Sequence, residues 1–136
     1  MPFHLYHFKN HREKSLIFSD GLQLIVGDNG SGKSTLCEAL TLLTNTHNPH
    51  HTNWVQKCSF HETDWALRWQ IDEKLFQGIF DGKTAAPKWY ICEGSVSKPK
   101  FQLTMPYRAF WIQSDHLRVI SGEPTERRAF FYEMIA

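Results

Sequence analysis

Polar and apolar positions change rhythm several times along this chain, and each rhythm predicts an element. Residues 4–8 alternate loosely, as a strand does, and residues 14–18 predict a second short strand. Ser19-Asp20-Gly21 has the composition of a hairpin-type turn. Residues 22–26 are almost all apolar, which predicts a strand covered on both faces. A glycine-rich loop at 27–32 separates that run from residues 33–43, where Leu36, Ala39, Leu40 and Leu43 recur at helical spacing. The polar stretch 44–51, with Pro49, predicts the end of that helix.

Strands of an antiparallel meander are expected at 65–70, 74–80 and 88–92, with Asp81-Gly82-Lys83 as one turn. Lys98-Pro99-Lys100 reads as a linker or a sheet edge, and 109–113 as another apolar strand. Residues 124–136 predict a helix with Pro124 in its first turn and a stripe of Ala129, Phe130, Met134 and Ile135. That helix has no capping glycine or exit turn, so either it docks at the terminus or, the favoured expectation, the sequence is the front piece of a longer protein. The element order is that of an α/β fold.

Composition narrows the function classes. With 41% hydrophobic residues and 14% aromatics in 136 residues, the chain is globular. A net charge of +1 gives no global signal for nucleic acid, so any DNA contact must come from a local patch or another part of the protein. Cys37, Cys58 and Cys92 are three scattered cysteines, which suit free thiols in a reducing cytosol. No secretory leader pattern opens the chain, and no apolar run approaches the roughly 20 residues of a membrane span.

The chemistry concentrates in Gly27-Asp28-Asn29-Gly30-Ser31-Gly32-Lys33-Ser34, which fits G-x-x-x-x-G-K-[ST]. Glycines at 27, 30 and 32 allow backbone conformations in which successive N–H groups turn inward on phosphate oxygens. The helix that follows adds its positive N-terminal end. Lys33 is the cation for the β and γ phosphates, Ser34 the magnesium ligand, and Thr35 the neighbour of the α phosphate. The ligand expected is ATP with Mg2+. A hydrolase also needs an acid after a second buried strand. No apolar run ends in Asp-Glu, and Asp115 is a poor substitute.

Two stretches together resemble the RecF family of recombination and repair ATPases, related to the SMC and ABC ATPases. The first is Phe8-Lys9-Asn10-His11 with residues 21–43, including the Asn29-Gly30 pair of that subclass of P-loop. The second runs from Gln113 to Phe130, with Gly122, Pro124, Arg127, Arg128 and Phe130 in place. The resemblance implies an ABC/SMC-type ATPase head lobe with mixed and antiparallel sheet. It divides the chain into a nucleotide-binding lobe at 1–112 and the start of a helical subdomain at 113–136. It implies heads that form an ATP-dependent homodimer, bind DNA at gaps or single-strand/double-strand junctions, and work with recombination-mediator proteins. Lys9 and Gln113 are implied to lie near the nucleotide, and Arg127 and Arg128 to meet DNA or a partner. The signature motif and Walker B acids of the family lie downstream of the segment that matches. Lys9 replaces the usual arginine, keeping the charge and losing bidentate geometry. The histidines of Thr46-His47-Asn48-Pro49-His50-His51 replace an arginine-bearing loop, and Tyr132 replaces an aspartate.

Other residues carry two readings each. His47-x-x-His50 and Cys58-x-x-His61, with His51, have zinc-ligand spacing, but a polar loop with surface histidines is the commoner meaning. Lys98, Lys100 and Arg108 form a weak basic cluster, or a solvated edge. The five tryptophans at 54, 65, 69, 89 and 111 suit core or interface, or base stacking where exposed. Two rival functions stand beside the ATPase head. One is a small P-loop kinase using Asp115 or Glu133, and the other a module that holds nucleotide without turnover.

Overall fold

The computed structural model describes residues 1–45, 53–94, 96–99, 105–109, 122–125 and 127–128. Among the described residues, six strands form one sheet: β1 (Pro2–Phe8), β2 (His11–Ile17), β3 (Trp65–Ile71), β4 (Lys74–Phe80), β5 (Lys88–Glu93) and β6 (Val96–Pro99). Their spatial order is β2-β1-β3-β4-β5-β6, and every pairing is antiparallel. One helix, α1 (Lys33–Asn45), follows the P-loop, and a short 3-10 turn spans Trp54–Lys57.

Period-two patterning builds the sheet's inner face. In β3, Trp65, Leu67, Trp69 and Ile71 are buried while Arg68 is exposed. Phe3 and Leu5 from β1, and Phe76 and Phe80 from β4, join them in one core with Leu36, Ala39, Leu42 and Leu43 of α1. Trp65 is the hub. Its ring lies 5.5 Å from Phe8 edge-on, 6.0 Å from Phe80 and 6.2 Å from Trp54, and its indole N–H donates to the Trp54 carbonyl. Gly78 pairs with Trp89 across β4 and β5, and the Trp89 ring occupies the space that a side chain at 78 would need.

The three meander strands expected from sequence are present, and the Lys98-Pro99 segment is the edge strand β6. Proline is tolerated there because an edge has N–H positions that no neighbour needs. The helix runs two residues beyond its expected end. Thr41 and Thr44 bond back to the carbonyls of Cys37 and Leu40, and Asn45 reaches the carbonyl of Ala109.

One expectation is overturned. Residues 22–26 are not a buried strand: 22–28 lack regular structure, and Leu22 is 101% exposed, Leu24 85% and Val26 78%. A strand exists only where a neighbour accepts its hydrogen bonds. Among the described residues, no strand pairs with this run, although its composition suits one. The hairpin-type turn at 19–21 therefore leads into no hairpin. The α/β fold of the P-loop class holds; the parallel part of a mixed sheet is not among the described residues. The expected strand at 109–113, apart from Ala109, lies outside them. Of the helix expected at 124–136, Pro124, Thr125, Arg127 and Arg128 are helical.

Candidate nucleotide-binding site

The P-loop stands at the N-terminus of α1. Gly30 and Gly32 take φ of +83° and +89°, a region that side chains avoid. Ser31 N–H donates to the Asp28 carbonyl at 3.1 Å, and Leu36 N–H to Gly32 at 2.9 Å, so the loop runs into the helix without a break. Lys33 folds back over the loop, its ammonium donating to the carbonyls of Gly27 at 2.7 Å and Asp28 at 2.8 Å. Asp28, Asn29 and Ser34 are exposed, and Thr35 is half-buried in the first turn of α1. Gly27 has no positive φ, but a Cβ there would come within 2.8 Å of the Ser31 hydroxyl.

The β1–β2 hairpin leans on this loop. Phe8 and His11 close a two-residue turn of Lys9 and Asn10. Lys9 has φ of +51° at a position where such hairpins favour glycine. The amide of Asn10 lies 3.4 Å from the Gly30 carbonyl, and the His11 Nε2 lies 3.3 Å from the Gly32 carbonyl. A Cβ on Gly32 would collide with both side chains.

Lys9 itself points to the helix. Its backbone N–H donates to the Lys57 carbonyl at 2.7 Å, and its ammonium donates to Glu38 of α1. The ammonium of Lys57, from the 3-10 turn, donates to the other oxygen of the same carboxylate. Burial alone would push the Glu38 carboxyl up, but the hydrogen bonds and charges of Lys57 and Lys9 outweigh it and hold the group below the usual glutamate value. Burial pushes Lys57 below the usual lysine value, and Lys9 adds to that while Glu38 pulls the other way.

These contacts bring Asn10 and His11 to the loop at Gly30 and Gly32, and join Lys9 and Lys57 to Glu38 further along α1. Asn10, His11, Glu38 and Lys57 were missed as site residues. The available signal for Glu38 was a lone acid in a helix with Ala39, Leu40, Leu42 and Leu43 around it, which leaves little solvent face. Arg127 and Arg128 are exposed and apart from this cluster's contacts; Arg127 bonds the Gly122 carbonyl at 3.0 Å through Nε. Gln113, Asp115, Glu133, His47, His50 and His51 lie outside the described residues. Among the described residues, Cys58 and His61 join no three-ligand group, whereas His7, Glu62 and Asp64 do, with His7 Nδ1 at 3.1 Å from Asp64. Burial first, then the charges of Asp64 and Glu62, raise the Cys58 thiol above its usual value.

A glycine loop of this geometry, set on a helix beside an antiparallel sheet, gives this chain the α/β fold of a P-loop head lobe of the ABC/SMC type. A family profile described as an AAA domain matches residues 3–67. More particularly, the chain is similar to the N-terminal part of RecF. It is 27% identical over 133 residues to the DNA replication and repair protein RecF of Leptospira interrogans, covering 95% of this chain and 36% of that one. RecF of Limosilactobacillus reuteri is 26% identical over 137 residues, covering 93% and 34%. RecF of Hydrogenovibrio crunogenus is 46% identical over 55 residues, covering 37% of this chain and 15% of that one. The chain thus spans about a third of the length of the relatives that it matches from end to end. Among solved structures, the recombination mediator protein RecF-ATP in the RecFOR pathway aligns with a TM-score of 0.68 at 20% identity, over 98% of this chain and 38% of that one. A RecF-ATPrS structure aligns at 0.70 and 20%, over 95% and 36%. Among the described residues, no helix is long and apolar enough to cross a membrane.

Proposed function

We propose that this segment binds ATP and magnesium as the nucleotide-holding part of a RecF-like DNA repair and recombination ATPase. The observation that carries this is the P-loop itself: two left-handed glycines and a lysine lead directly into a buried helix, in a chain similar to RecF over nearly all its length. The amides of 27–32 receive the phosphates, and Lys33 leaves its own loop carbonyls for the β and γ oxygens. Ser34, exposed in the first turn of α1, offers magnesium the hard oxygen it prefers. Thr35 lies by the α phosphate. Lys9 and Gln113 serve the nucleotide; Arg127 and Arg128 serve DNA or a partner protein. Residues 1–112 form the nucleotide lobe and 113–136 begin a helical subdomain. In this reading ATP closes two heads into a homodimer on gapped or junction DNA in the cytosol, with recombination-mediator proteins as partners, and hydrolysis depends on acids and a signature motif beyond the matched segment.

Titration calorimetry with Mg-ATP, wild type against Lys33→Ala, tests the reading. Wild-type binding that the variant loses by about 100-fold or more supports it. Equal binding by the two proteins, or none by the wild type, overturns it. Turnover in the same samples by this chain alone would favour the kinase reading.

A further inference from the structure

Behind the P-loop, two lysines share one buried carboxylate. Glu38 is 1% exposed and Lys57 is fully covered, while the Lys9 side chain is 32% exposed. A buried charge needs one counter-charge to be tolerable. Glu38 has two, and Lys57 alone already makes the pair neutral. Lys9 is the surplus cation, and the cluster carries a net positive charge next to a loop shaped for a polyanion. Lys9 is also the one of the two that has somewhere to go. It stands in the hairpin turn whose next two residues rest on the carbonyls of Gly30 and Gly32.

We propose that the Lys9 ammonium exchanges between Glu38 and the phosphates of a nucleotide held in the P-loop, and that Lys57 permits the exchange by staying behind to neutralise Glu38. This rests on the nucleotide-binding reading above and extends it to how the site is set. Lys57 never touches the ligand. It is a positioning residue, and it acts by making the departure of Lys9 electrostatically cheap. Burial is the main reason that Lys57 lies below the usual lysine value, and the neighbouring Lys9 ammonium adds to it.

The test is Mg-ATP affinity by calorimetry on the full chain, with thermal unfolding run on every variant. Lys9→Met leaves the Glu38–Lys57 pair neutral, so folding is retained, and ATP binding weakens about tenfold, the scale of one charged hydrogen bond. Lys57→Met makes Lys9 the sole partner of Glu38. Lys9 can then no longer leave without stranding a buried carboxylate, so ATP binding weakens by a similar factor. Adding Glu38→Gln to Lys57→Met removes the charge that retains Lys9 and restores affinity to within about twofold of wild type. A role in folding alone predicts no such rescue. Wild-type affinity in Lys9→Met or Lys57→Met overturns the exchange, as does a folded double variant that stays weak. Should the double variant not fold, Glu38→Met with Lys57→Leu takes its place, an apolar pair that also leaves Lys9 unencumbered; affinity near that of the wild type supports the proposal, and weaker binding overturns it. Binding that depends on Lys33 but ignores Lys9 removes the exchange and leaves the P-loop reading intact; no wild-type binding removes both.

Discussion

The six-stranded sheet and the segment that enters the P-loop use the same kinds of residue and reach opposite ends. In the sheet, Phe3, Leu5, Leu67 and Phe76 are all 0% exposed, because each strand has a neighbour and α1 covers the face. In residues 22–26, an equally apolar run, Leu22 and Leu24 stand in solvent. Side-chain pattern states what a segment can bury; strand pairing decides whether it does, and pairing is a property of distant residues.

Three changes probe that contrast, and the largest effect is expected at Glu38. Glu38→Ala leaves the fully covered Lys57 ammonium with no counter-charge and costs about 3–5 kcal/mol by urea denaturation. Acid reaches the same group. Because the Glu38 carboxyl is depressed in the folded protein, its contribution is complete above the unfolded value of about 4.3 and fades as pH falls from there through the lower folded value. Stability of Glu38→Ala therefore varies less with pH below about 5 than that of the wild type. A parallel pH dependence in the two proteins would show that the triad is not closed in solution.

Gly32→Ala comes next. It forces a side chain to φ of +89° and against Asn10 and His11, at a cost of about 1–3 kcal/mol. The same denaturation series reads it. No cost would mean that the hairpin does not rest on the loop. The smallest effect is expected in the exposed run, where Leu24→Asp changes stability by less than about 0.5 kcal/mol. A loss above about 1.5 kcal/mol would mean that the run is covered in solution, and the contrast between the two regions would collapse.

Much of this architecture is local and therefore legible in sequence. Alternation located β3, β4 and β5, and the spacing of Leu36, Ala39 and Leu43 located α1. The P-loop pattern stood in eight consecutive residues. What escaped was long-range. Lys9 and Lys57 meet Glu38 from 29 and 19 residues away. Asn10 and His11 reach carbonyls 20 and 21 residues on. No periodicity encodes such meetings, because they follow from how the hairpin and the 3-10 turn pack around α1. The run 22–26 failed for the converse reason: its composition specifies a strand, but composition does not supply the neighbour.

The hairpin's rest on the P-loop also gives the molecule an indicator of its own. His11 has its Nε2 at 3.3 Å from the Gly32 carbonyl, so any rotation of that peptide alters the field at the imidazole. Its ring protons would therefore report loop geometry in a proton magnetic resonance spectrum without a label. The other seven histidines of the chain form the background from which a His11→Gln sample would single it out.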